Sequence, residues 1–105
     1  MNIQDTRTLQ ETRTALAPPA VIVAAKRFFA KRNAIYAAYP EREGEHWVSL
    51  RGQGGEEVIV AAQVSNAATL VTASSYMFDQ QIARFLSTLP AAPELPAIPA
   101  GENPA

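Results

Sequence analysis

Residues 56–89 read EEVIVAAQVSNAATLVTASSYMFDQQIARFLSTL. Two runs in this stretch, residues 56–64 and 68–76, are rich in Val, Ile and Thr, whose branched side chains suit a pleated surface. The gap between them, Ser65-Asn66-Ala67, is short and carries a turn residue, so the runs form an antiparallel hairpin. The period then changes. Phe78, Ile82, Phe85, Leu86 and Leu89 fall within about 100° of a helical wheel, the signature of a helix with one apolar face. Asp79 stands near its start, where a carboxylate caps or offsets the helix dipole, and Pro90 ends it. A hairpin leading into an amphipathic helix is an α+β unit, because each element has one apolar face to bury against the other.

Working towards the N-terminus, two further β-rich runs precede the hairpin. Residues 45–52 carry Trp47, Val48 and Leu50, and residues 34–42 carry Ile35, Tyr36 and Tyr39. Glu43-Gly44-Glu45 and Gln53-Gly54-Gly55 separate the runs, and such short gaps favour a meander. Pro40 places its run at a sheet edge or at a break, since proline cannot donate to an interior ladder. Before these runs, Pro18-Pro19 opens a helix of about residues 19–32, with Val21, Ile22, Ala25, Phe28 and Phe29 on one face. Residues 11–17 alternate Thr12, Thr14 and Leu16 with Glu11, Arg13 and Ala15, which reads as a first strand. The resulting order is β-α-β-β-β-β-α: an antiparallel sheet of four to five strands with two helices on one face. Residues 1–10 are expected to be a flexible arm, residues 11–89 one α+β domain and residues 90–105 an extended tail rich in Pro and Ala.

A sheet with helices on one face normally presents a polar face to water. Period two places Val48, Val60 and Leu70 on the side expected to meet the helices. The opposite side then carries Trp47, Ile59 and Val71, joined by Tyr36 if the first hairpin has the matching register. That second apolar face points to an interaction surface, with aromatic residues as its anchors.

Composition narrows the chemistry. The chain has 105 residues, with nine basic against ten acidic and a net charge of −1. A nearly neutral domain has no global field to attract nucleic acid or anionic lipid. The cluster Lys26, Arg27, Lys31 and Arg32 is read as a solvated face near a helix C-terminus, and nucleic-acid binding is disfavoured. Cysteine is absent, which removes disulfides, thiolate metal sites and thiol nucleophiles and agrees with a cytoplasmic setting. No signal peptide or membrane-spanning run is visible in the sequence.

The single His46 has no evident partner for acid–base work, and no metal-ligand spacing occurs. Gly52-Gln53-Gly54-Gly55 lies between strands, with no Lys-Ser/Thr after it, and reads as a hairpin loop and not a phosphate loop. Ser74, Ser75, Tyr76 and Asp79 are assigned capping and packing roles. No catalytic residue, metal or cofactor is therefore expected. In the tail, Pro90, Pro93, Pro96 and Pro99 recur every third residue, the period of polyproline II. This fits an extended tail or a strip for a partner's aromatic groove.

Residues 12–21, Thr-Arg-Thr-Ala-Leu-Ala-Pro-Pro-Ala-Val, resemble the first strand and helix opening of the helix-grip domains of the START and polyketide-cyclase superfamily. Residues 68–74, running into an amphipathic helix, look like that family's last strand and closing helix. The element order is also similar to the β-α-β4-α pattern of the TATA-box-binding-protein-like fold. The first resemblance implies a small apolar-ligand carrier or a cyclase-like protein, with His46, Tyr76 and Asp79 as polar lining. The residues themselves favour a non-enzymatic interaction module, a homo-oligomer or a small subunit of an assembly, working through Tyr36, Trp47, Ile59 and Val71.

Overall fold

A computed structural model describes residues 8–32 and 36–92. The chain forms β1 (Thr8–Thr14), α1 (Pro18–Ala30), β2 (Ala38–Glu43), β3 (Trp47–Gly52), β4 (Glu57–Ser65), β5 (Ala68–Ser75) and α2 (Asp79–Thr88). The strands make one antiparallel sheet in the order β1-β5-β4-β3-β2. β2 to β5 are a meander of hairpins, and β1 closes the far edge by pairing with β5. The fold is thus the α+β arrangement that the periodicity implies.

Both helices cover one face. In α1, prolines fill the first helical positions, where a missing N–H leaves no bond unmade, and Val21, Ile22, Ala25 and Phe29 are buried. In α2, Ile82, Phe85 and Leu86 are buried. The helices meet through three rings: Phe28 and Phe29 lie 5.5 and 5.9 Å from Phe85, in tilted arrangements. Below them the sheet contributes Val48, Leu50, Val58, Val60 and Val71, all fully buried. Each such side chain contributes about 1.5–3 kcal/mol when wholly removed from water. The space between sheet and helices is packed with these side chains.

The turns fix which residues face inward. Between β3 and β4, Gly55 adopts φ +89°, a left-handed conformation that favours glycine. The loop pairs Arg51 with Glu57 and places Leu50 opposite Val58, so Val48 and Leu50 of β3 and Val58, Val60 and Ala62 of β4 point into the core. Between β4 and β5 the loop has only two residues, Asn66 and Ala67, both at positive φ (52° and 63°). This is the backbone pattern of a two-residue hairpin turn whose twist matches the strands. Ser65 therefore pairs with Ala68, and Ala62 lies opposite Val71.

That register corrects one assignment. A three-residue gap would turn Leu70 inward. The two-residue turn instead buries Thr69, Val71, Ala73 and Ser75 and leaves Leu70, Thr72 and Ser74 half-buried on the other side. Val71 belongs to the core, and Leu70 takes its place on the open face.

Both chain ends of the domain also differ from expectation. β1 begins at Thr8, so residues 8–10 are paired with Ser75, Ser74 and Ala73 and are not part of an arm. At the other end, Pro90 and Ala91 dock on the first strand. The Pro90 carbonyl accepts from Ala15 N (3.2 Å) and from Thr14 Oγ1 (2.6 Å), and Ala91 bridges Thr14. The polyproline stripe at Pro93, Pro96 and Pro99 lies outside the described residues. β2 is an edge strand, as Pro40 requires, and its register shifts between Pro40 and Arg42.

Candidate functional site

The helix-free face of the sheet is built from alternate residues of all five strands. Cross-strand pairing runs Glu11, Thr72, Ala61, Trp47 along one row and Leu9, Ser74, Ile59, Ser49, Arg42 along the next. Residues directly opposite in such rows share a face. Trp47, 39% exposed, stands between two depressions. One, of about 270 Å³, is lined by His46, Ala61, Gln63, Leu70 and Thr72. The other, of about 400 Å³, lies against Glu41, Arg42, Ser49, Arg51 and Ile59.

The indole is seated by the β2–β3 turn. Gly44 N donates to Trp47 O at 2.9 Å, closing the turn. A Cβ at Gly44 would collide with Trp47 Nε1, so only glycine lets the ring lie across this turn. Tryptophan offers a large apolar area together with a donor, a combination suited to binding surfaces.

Charge rims the apolar centre. Arg51 Nη2 lies 2.9 Å from Glu41 Oε1 and 3.8 Å from Glu57 Oε2. The hydrogen bond to Glu41, followed by that carboxylate's charge, holds the Arg51 pKa above its ordinary value. At the β1 edge Arg13 Nη2 donates to the Ser65 and Asn66 carbonyls (3.0 and 3.1 Å), tying β1 to the β4–β5 turn. The face therefore presents Trp47, Ile59, Ala61 and Leu70 inside a border of both signs.

Of the residues expected on this surface, Trp47 and Ile59 are brought together. Val71 is in the core. Tyr36 lies outside β2, and its ring stands edge-on to Phe78 at 5.8 Å, away from Trp47. Tyr39 occupies the position expected of Tyr36: it pairs with Arg51 and is 53% exposed. The signal that could have found it is Pro40, because an edge strand centred on proline puts its neighbour Tyr39 within the ladder.

The polar lining expected of a ligand groove is not assembled. The carbonyl of His46 accepts from Ala62 N, whereas Tyr76 N donates to Glu57 O. These partners are five positions apart on β4, roughly 16 Å of extended strand. Asp79 joins the α2 start: Ser75 Oγ donates to its Oδ1 at 3.0 Å and accepts from Phe78 N at 3.2 Å. The basic cluster is likewise dispersed. Lys26 pairs with Glu43 at 2.9 Å, Arg32 stacks on Phe28, and Arg27 and Lys31 are exposed. Among the described residues, no three His, Asp or Glu side chains converge as metal ligands would. No helix there is long and apolar enough to cross a membrane.

No protein-family model, curated protein or solved structure matches this chain.

Proposed function

We propose that the protein is a non-enzymatic interaction module that pairs with a second copy of itself through the open sheet face. The observation that carries this reading is Trp47. A large aromatic ring sits on a five-stranded face that no element among the described residues covers, beside Ile59 and Leu70 and between two depressions.

The border charges favour a second copy over an unlike partner. A two-fold interface places one patch on itself, so the patch must be self-complementary. Glu11 ends one row and Arg42 ends the adjacent row at the opposite side of the sheet. A two-fold axis near Ala61 and Ile59 would set each carboxylate against a guanidinium. Buried aromatic anchors then supply most of the affinity, with the charged rim giving register.

Light scattering on the full chain tests this. The expected mass is twice the 11.3 kDa of the chain. Trp47→Ala should weaken association by about 2 kcal/mol or more, a thirtyfold loss, with little change in the stability of the monomer. A monomer at about 100 μM, above the dissociation constant of most specific dimers, would overturn the proposal. So would a dimer that Trp47→Ala leaves unchanged.

A further inference from the structure

Away from the sheet face, two arginines line one recess, and none of the described residues of its lining is a carboxylate. Arg32 follows the end of α1 and Arg84 lies in the second turn of α2. With Tyr36, Gln80 and Gln81 they line a recess of about 370 Å³, within the range of small-molecule sites. Gln80 and Arg84 are four residues apart and share one side of the helix. Among the described residues, neither Arg32 nor Arg84 takes part in an ion pair; the pairs there involve Lys26 and Arg51.

Arg32 is held by a ring instead. Its guanidinium carbon lies 4.4 Å from the centroid of Phe28. Stacking fixes the plane of a guanidinium and leaves its in-plane N–H groups for a ligand. Among the described residues, two polar atoms of this lining are buried without a hydrogen-bond partner: Arg32 Nε and Gln81 Oε1. Gln81 as a whole is only 8% exposed. Buried donors and acceptors are almost always satisfied in native proteins, so each of these two atoms calls for a partner. The recess also faces the first turns of α2, where the helix dipole favours an anion, although Asp79 offsets part of that field.

We propose that this recess binds a small oxyanion carrying a neighbouring hydroxyl, the chemistry of a polyol phosphate. The anion accepts from the guanidinium N–H groups of Arg32 and Arg84, as phosphates do from arginine. Gln81 Oε1 needs a donor, which a fully ionised oxyanion lacks and an adjacent hydroxyl supplies. This site is independent of the sheet face, and ligand binding here does not require the dimer.

The test is an NMR titration of the full, isotope-labelled chain with glycerol 3-phosphate, inorganic phosphate and glycerol. Saturating shifts are expected at Arg32 Nε–H and at the amides of Gln80, Gln81 and Arg84 with glycerol 3-phosphate. Inorganic phosphate should bind more weakly, and glycerol should not bind. Arg84→Gln, at an exposed position, should weaken glycerol 3-phosphate about tenfold or more. Gln81→Met should weaken glycerol 3-phosphate but leave phosphate unchanged. Arg27→Gln, outside the recess, should change neither. The site is overturned if no shift saturates by about 10 mM, or if Arg27→Gln and Arg84→Gln weaken binding equally. Equal affinity for phosphate and glycerol 3-phosphate overturns the hydroxyl. Capture on phosphatidylglycerol vesicles, without any response to free glycerol 3-phosphate, would replace the small molecule with a lipid headgroup.

Discussion

One face of the sheet is closed and the other is open, yet both are made from the same strands by alternation. On β3, Val48 and Leu50 are fully buried while Trp47, at the start of the strand, is 39% exposed. On β4, Val58 and Val60 are fully buried while Ile59 between them is half-buried. The closed face is held by its packing, since Phe28, Phe29 and Phe85 fill the space between sheet and helices. The open face has no such cover, and its apolar centre is bordered by Arg42, Arg51, Glu11 and Glu41. The difference separates stability from function. Substitutions on the closed side should change folding, and those on the open side should change association.

The hardest test of that separation is Phe85→Ala. Phe85 is fully buried at the centre of the three-ring cluster. Its truncation leaves a cavity that the rigid sheet cannot fill, and a loss of about 3–5 kcal/mol is expected. In a domain of this size that is a large share of the total stability. Urea unfolding should therefore show a collapsed midpoint, or no folded baseline at all. A loss below about 1 kcal/mol would mean that the cluster is not a close-packed core.

A paired substitution sharpens the comparison at neighbouring residues. Val71→Thr keeps shape but puts a hydroxyl among apolar side chains, which should cost about 1–3 kcal/mol. Leu70→Thr, one residue away on the open face, should stay within about 1 kcal/mol in the monomer while weakening association. Urea midpoints and light scattering on both variants give the two readings. The reverse pattern would mean that β5 is turned over.

This pair also marks where the sequence stops being legible. Element types and their order follow from periodicity, because period two and period 3.6 are imposed by burial itself. Trp47 and Ile59 follow from the same rule. The faces of β5 do not, since Thr69-Leu70-Val71-Thr72 is apolar or tolerant on both sides and only turn length decides its register. β1 is missed at Thr8, Leu9 and Gln10 for a related reason. These residues join the sheet through backbone pairing, and Gln10 Nε2 donates to the Asp79 carbonyl at 3.0 Å, contacts that leave no apolar pattern. Tyr36 and Tyr39 are three residues apart, and which one lies in the strand depends on where β2 begins. The recess between Arg32 and Arg84 joins residues 52 positions apart, so no local spacing could have announced it.

The smallest predicted effect concerns the turn on which the two faces depend. Ala67 has φ +63°, a region where a Cβ is crowded and which costs a non-glycine residue about 1 kcal/mol. Asn66, at φ +52°, is one of the residues that tolerate it. Ala67→Gly would create the Asn-Gly pair that two-residue hairpins prefer, so the folded state should gain up to about 1 kcal/mol. The entropy of a freer unfolded chain offsets part of that gain. The expected reading is a small upward shift in the urea midpoint with an unchanged slope. A three-residue loop would also end on a left-handed residue at position 67, so the sign of this change tests the strain at Ala67, and the register itself is read from the Val71→Thr and Leu70→Thr pair. A neutral or destabilising result would mean that residue 67 is not held in the left-handed region that its φ of +63° describes.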